Sequence, residues 1–232
     1  MRILLNIYSK LFFVLICIFL ISCDKESEAL LVDELDEEYQ LYDYYIDENG
    51  NEGIVAYIRN YEGSSSRYPK GYKYMIVISS NESLEPWGPM GETIVNGTYG
   101  YDSEQTAGIT MLQCMNSRGL NRYPAQNWCF SKNRSTEISS SSWRLPTNNE
   151  LLQIFGSNGK NISNLNHALQ ITGGELIDDT QFYWTCMEDY NQADRAILTS
   201  PHISSTSENK DRWLKKNKYY VRAIKYIYYY DH

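Results

Sequence analysis

Positive charge is scarce in this chain: 21 Lys and Arg stand against 29 Asp and Glu, a formal charge of −8 over 232 residues. A general nucleic-acid binder needs a basic face for phosphates, so that class is excluded. Apolar runs are short. Residues 11–21 are apolar without a break, but a spanning helix needs roughly 20 such residues. Cysteine and histidine are few, at 5 and 3, no Cys-x-x-Cys pair occurs, and His167, His202 and His232 lie far from any Cys in sequence. A zinc site therefore has no support. No Gly-x-Ser-x-Gly elbow frames a nucleophile, and no Gly-rich loop is built to cradle phosphate. Glu188 and Asp189 are adjacent, so in a strand they point to opposite faces, wrong for acid–base work across one bond. No cofactor is indicated, and the chain reads as a non-enzyme.

What the chain does have is tyrosine, 21 against 6 Phe, with hydrophobic residues at 42% and charged residues at 22%. That is enough to bury the core of one sizeable domain. Tyr has an apolar body and a polar tip, which suits a wet, aromatic-rich sheet or a recognition surface.

The N-terminus reads as an address. Arg2 and Lys10 precede the 11-residue apolar stretch, which ends Leu20-Ile21-Ser22-Cys23. Charge and length are those of a secretory signal, and the ending resembles the lipobox of bacterial lipoproteins. Residues 1–22 are then the signal peptide, and Cys23 carries the acyl chains that anchor the protein to a membrane. Losing Arg2 and Lys10 takes the mature chain to −10. Residues 24–48 hold 11 acids and one base, Lys25. Such a run self-repels and buries little, so most of it reads as solvated, with residues 23–41 as the tether. Its Cys-Asp-Lys-Glu-Ser-Glu start resembles the acidic signal that sends lipoproteins outward in Bacteroidetes-type bacteria; a merely soluble spacer is the other reading. The expected location is the outer membrane, lipid-anchored and facing the exterior.

Three Cys remain in the exported part: Cys114, Cys129 and Cys186. An exported compartment permits disulfides. Cys114 with Cys129 closes the shortest loop, a bond that would contribute roughly 3 kcal/mol. Three buried free thiols are the alternative.

Local signals predict one α+β domain over 42–232. Strand-like runs occupy 53–58, 72–79, 182–186, 196–199 and 219–228. Helical spacing covers 106–117, with Ile109, Leu112 and Met115 on one face, Thr106 as N-cap and Gly119 as stop. Pro124 opens a short helix to about Phe130. Thr147 and Glu150 have the spacing of a capping box, followed by the apolar Leu151, Leu152 and Phe155. A further helix runs from Ser163 to Ile171 and stops at Gly173-Gly174. The segments 63–66, 86–91, 94–105 and 202–211 read as loops.

Three blocks recur in order: Trp143-Arg144-Leu145-Pro146-Thr147-x-x-Glu150-Leu151, then Tyr183-Trp184-Thr185-Cys186-Met187-Glu188, then Val221-Arg222-Ala223-Ile224. Together they resemble the Lcl C-terminal-domain-like family, related in pattern to the FISUMP domains of surface lipoproteins. Asp43-Tyr44-Tyr45, Gly53-Ile54-Val55, Trp87-Gly88-Pro89 and Tyr123-Pro124-Ala125 extend the resemblance upstream, to about residues 42–227. It implies a C-type-lectin-like or sulfatase-modifying-factor-like domain: a small twisted antiparallel sheet with two to four short helices and long loops. It also implies a binding role at the cell surface, toward a glycan or a surface or matrix protein. Cys186-Met187 stand where Ser-Thr is commoner. The Glu-Pro-Asn, Gln-Pro-Asp and Trp-Asn-Asp triplets that ligate calcium and sugar in true C-type lectins are missing, so calcium-dependent sugar binding is not expected.

Each motif carries two readings. Trp143, Arg144, Pro146, Thr147, Glu150, Trp184 and Arg222 read as parts of the fold: Glu150 caps a helix, Arg144 pairs with a nearby carboxylate, and both Trp pack inside. Trp87 lies between Pro and Gly in a loop, where an indole either stacks on a sugar or plugs the end of a core. Glu188, Tyr190 and Asn191 follow a strand and mix acid, aromatic and amide, the chemistry of hydroxyl recognition and equally of a polar turn. Arg212, Lys215, Lys216 and Lys218 form either an anionic-polysaccharide contact or a solvated face. The function expected is lectin-like recognition or adhesion, with a non-catalytic structural subunit of an envelope assembly as the runner-up.

Overall fold

In the computed structural model, Ile54, Ile76, Ile78, Ile224 and Tyr226 line one side of a sheet and meet Leu151, Ile154, Phe155, Leu165 and Leu169 from two helices. The structure describes residues 39–60, 72–94, 104–202 and 211–230. The signal peptide, Cys23, the tether as far as residue 38 and the loop residues 63–66, 95–103 and 203–210 lie outside the described residues. From Gln40 the chain belongs to one unit, Gln40–His232.

The described elements are β1 (Tyr44–Ile46), β2 (Glu52–Asn60), β3 (Tyr72–Ser79), β4 (Ser83–Pro86), α1 (Glu104–Ser117), α2 (Pro124–Phe130), α3 (Asn148–Phe155), α4 (Ile162–Ile171), β5 (Tyr183–Glu188), β6 (Arg195–Thr199), β7 (Asp211–Leu214), β8 (Lys218–Val221) and β9 (Ile224–Tyr230). The class is mixed α+β with four helices, as the sequence predicts. The strands make two sheets, in the orders β1-β2-β3-β9 and β4-β8-β5-β6-β7. All pairs are antiparallel except β5 with β8. Helix α3 packs on β2 of the first sheet and on β5 and β6 of the second, and α4 packs on β2.

Residues 219–228 were expected as one strand because they alternate without interruption. They divide at Arg222-Ala223, with β8 in the second sheet and β9 in the first. The earlier crossing, from β3 to β4, runs alongside. Arg222 ties the two crossings together. Its guanidinium is fully buried and donates to Glu82 Oε2 at 2.6 and 3.1 Å, to Ser79 O at 3.1 Å and to Glu175 O at 2.9 Å. Each of its three nitrogens finds an acceptor, which is the condition for keeping a charge inside. Three further strands, β1, β4 and β7, escape the sequence reading because they are only three or four residues long.

The end of the acidic stretch joins the first sheet, with Tyr45 and Asp47 turned inside. Tyr44–Ile46 pairs with β2, and Asp47 is buried. Asp47 accepts from the Trp143 indole at 2.7 Å and from the backbone N–H groups of Asn49 and Asn51 at 2.9 and 2.8 Å, with Lys225 at 3.7 Å. Burial alone would raise its pKa. The hydrogen bonds from Trp143 and Asn51, and from the Asn49 and Asn51 backbone, outweigh burial and hold it below the ordinary 3.8. A depressed carboxylate contributes stability that is complete above its unfolded pKa and is lost as pH falls through the folded one. Asp47→Asn is therefore expected to lower Tm most near neutral pH, with the gap to the native chain closing below about 3.8. A gap that stays constant on acidification, followed by circular dichroism, would show that the Asp47 charge does not matter.

Candidate functional site

The end of the second sheet gathers most of the residues singled out for recognition, and it takes several of them inside. Trp87 is fully buried. Its indole donates to Thr185 O at 2.8 Å, its ring meets Tyr123 edge-on at 6.0 Å, and the Lys215 ammonium lies 4.8 Å from its centroid. It is a core plug and cannot stack on a sugar. The glycine after it is required by this packing, since a Cβ on Gly88 would come within 2.7 Å of the Tyr123 ring.

Glu188 is likewise withdrawn from any ligand. It accepts from Lys215 Nζ at 2.9 Å and from the Ile94 backbone N–H at 2.6 Å, and both ends of the ion pair are fully buried. Lys215 also donates to Glu92 O at 2.7 Å. The basic stretch is thus not one surface. Lys215 points inward, whereas Arg212, Lys216 and Lys218 are exposed.

What remains outside is Tyr190 with Asn191 on one turn and, separately, an indole on β7. Tyr190 is 54% exposed, and Asn191 beside it is exposed, on the turn between β5 and β6. Asp189 accepts from the Asn191 N–H at 3.0 Å and pairs with Arg212 at 3.4 Å, which ties this turn to β7. Next to Arg212 on β7 is Trp213, 42% exposed. Its ring lies 5.7 Å from Tyr219, which in turn meets the buried Trp184 edge-on at 5.2 Å. The Trp184 indole donates to Glu85 O at 2.9 Å. An exposed indole is therefore braced by a row of rings rooted in the core, so little side-chain freedom is left to lose on binding. Sequence reasoning missed Trp213. Its signal was a lone Trp between a Ser-rich and a Lys-rich segment.

The family-like motif residues build the scaffold of the domain. Arg144 and Glu150 are fully buried and joined twice, Nη1 to Oε2 at 2.9 Å and Nη2 to Oε1 at 2.6 Å. Burial works against the Arg144 charge, but the adjoining Glu150 carboxylate outweighs it and holds the guanidinium pKa above its ordinary value. The same carboxylate closes the capping box of α3: Thr147 N–H donates to it at 2.7 Å, and Glu150 N–H donates to Thr147 Oγ1 at 3.2 Å. Tyr226 donates its hydroxyl to Glu150 Oε1 at 2.7 Å, and burial followed by the Glu150 charge pushes the phenol pKa far up. Pro146 O accepts from Cys186 N–H at 2.7 Å, which joins this corner to β5.

The disulfide expected between Cys114 and Cys129 is absent; Cys114, Cys129 and Cys186 are free thiols. Cys129 is turned into the interior from α2, while Cys114 stands half-exposed on α1, so the short loop in sequence does not bring the sulfurs together. Burial raises the Cys129 pKa strongly, which leaves an unreactive thiol. Among the described residues no group of three or more His, Cys, Asp and Glu is placed to hold a metal, and no helix is long and apolar enough to cross a membrane.

No protein-family model matches the chain, nor does any curated protein. Among solved structures the chain is similar to a fimbrial protein from Bacteroides ovatus ATCC 8483, at 16% identity and a TM-score of 0.55, over 81% of this chain and 48% of that one. The chain spans about half the length of that structure. At this identity the likeness is one of fold: a two-sheet α+β domain.

Proposed function

We propose that this chain is a surface-displayed lipoprotein whose domain recognises a glycan or a surface protein in adhesion, and that it performs no catalysis. The single observation that carries the reading is Trp213, an exposed indole on β7 braced through Tyr219 on the buried Trp184. The resemblance to the Lcl C-terminal-domain-like family and the lipobox ending at Cys23 support display at the outer membrane, facing the exterior. Likeness in fold to part of a fimbrial protein agrees with that setting. Recognition does not use calcium in this reading.

The test is a screen of the purified full chain on immobilised glycans and matrix proteins, with and without calcium. Hot-spot aromatics cost about 2 kcal/mol or more on truncation, so Trp213→Ala is expected to weaken a specific hit roughly 30-fold while leaving Tm unchanged. A blank array, or a hit indifferent to Trp213→Ala, overturns the assignment. The runner-up, a non-catalytic structural subunit of an envelope assembly, also draws on the fimbrial likeness. A stable partner in a gentle detergent pull-down beside a blank array would select it.

A further inference from the structure

A second concave surface lies on the other sheet. Past the bulge between Val55 and Tyr57, β2 runs beside the C-terminal half of α3, and an open groove of about 720 Å³ lies between them. That volume is within the range of small-molecule sites, about 300–1,000 Å³. Aliphatic side chains, Ala56, Ile58 and Leu152 among them, form its floor with the half-exposed Tyr57. Asn149, Gln153 and Asn161 bring three amides to its walls, and Lys160 stands at the rim. Among the described residues no carboxylate lines it.

The parts are held in place. Tyr57 lies 6.3 Å from Tyr74, at the end of a row that continues through Tyr226. Asn161 donates its amide N–H to Ile154 O at 3.1 Å, which fixes the orientation of its side chain. Gly156, at φ 73°, lets the chain turn back at the end of α3. A Cβ there would come within 2.7 Å of Lys160 Cγ and 2.9 Å of Asn161 Cγ, so glycine at this position lets both residues pack against the turn. Among the described residues, the Gln153 amide and the Lys160 ammonium have no hydrogen-bond or ion-pair partner. Gln153 is half-buried, so its donors and acceptor are presented to whatever enters.

We propose that this groove binds a short saccharide containing N-acetylhexosamine. An acetamido group is both things the groove offers to meet. Its methyl needs an aliphatic floor, and its N–H and C=O need amide partners such as Gln153. A plain hexose chain has hydroxyls for the amides but no methyl for the aliphatic floor. Among the described lining residues an acidic chain would find a single cation, Lys160. The groove is built on β2 and α3 of the first sheet, apart from Trp213 on β7, and it stands even if Trp213 binds nothing.

The experiment is calorimetric titration of the full chain, in a non-glycosidic detergent, with chitotetraose and with cellotetraose, which has the same backbone without acetamido groups. Chitotetraose is expected to bind and cellotetraose to bind at least tenfold more weakly. Gln153→Ala is expected to weaken chitotetraose about tenfold, the loss of one neutral hydrogen bond, with Tm unchanged. Trp213→Ala is expected to leave this titration as it is, which separates the groove from Trp213. Equal affinity for the two tetramers, no binding of either, or chitotetraose binding that survives Gln153→Ala would overturn the proposal. So would loss of that binding in Trp213→Ala with Gln153→Ala unaffected.

Discussion

Replacing Glu150 with alanine is expected to leave the domain unfolded or melting at least 10 °C lower. One carboxylate accepts four hydrogen bonds here: two from Arg144, one from the Thr147 backbone and one from the Tyr226 hydroxyl. Removing it strands a fully buried guanidinium, which costs about 3–5 kcal/mol, and unmakes half of a capping box, about 1 kcal/mol more. For a domain of this size each kcal/mol moves Tm by about 2–4 °C. Domains hold only about 5–15 kcal/mol in all, so the loss is a large share. Glu150→Gln preserves the shape and still forfeits the charge, so it should fall between. The pair Arg144→Met with Glu150→Leu should be milder than Glu150→Ala alone, because no unpaired charge is left behind. Thermal melts by circular dichroism decide it. A Tm drop of only a few degrees for Glu150→Ala would mean that the pair does not hold the core.

Gly108→Ala is expected to destabilise the domain by about 3 kcal/mol, against the usual direction of that change. Gly108 lies within α1, where alanine ordinarily gains about 1 kcal/mol. Here a Cβ would overlap Cζ and Nη1 of Arg144 and come within 2.8 Å of its Nε. The guanidinium cannot retreat, since it is held by Glu150 and by its own bond to Leu145 O at 2.9 Å. The same melts check this, and an unchanged or raised Tm would show that α1 does not lie against Arg144.

Both predictions concern a motif that was legible in the sequence, but for different reasons. Thr147 and Glu150 are three residues apart, so their reciprocal capping is a local event that spacing alone reveals. β3 at Tyr72–Ser79 and α2 at Pro124–Phe130 match their expected limits, and α4 begins one residue early at Ile162. α1 begins at Glu104, ahead of the expected Thr106 cap. Gly108 carried no signal at all, because its neighbour Arg144 is 36 residues on.

The recognition residues divide in the same way. Pro and Gly around Trp87 do mark a loop, yet that loop folds back over Tyr123 and Lys215 and takes the indole inside. Trp213, with no motif around it, stays out. Lys215 and Lys216 are neighbours of like chemistry, but only Lys215 meets Glu188, 27 residues before it.

By itself the sequence determined what contiguous residues can carry: the helix starts and stops, most strands and the α+β class. These depend on spacing within one turn or one strand, and so survive without knowledge of the rest of the chain. The tertiary structure alone decided that residues 219–228 serve two sheets, that Asp47 and Glu188 are structural acids, that the thiols stay free, and that an indole on β7 and a groove beside α3 face outward. Each of those outcomes turns on which distant group arrives to satisfy a charge or cover a ring, as Trp143 does for Asp47 across 96 residues. Burial is a property of that arrival, and local pattern does not encode it.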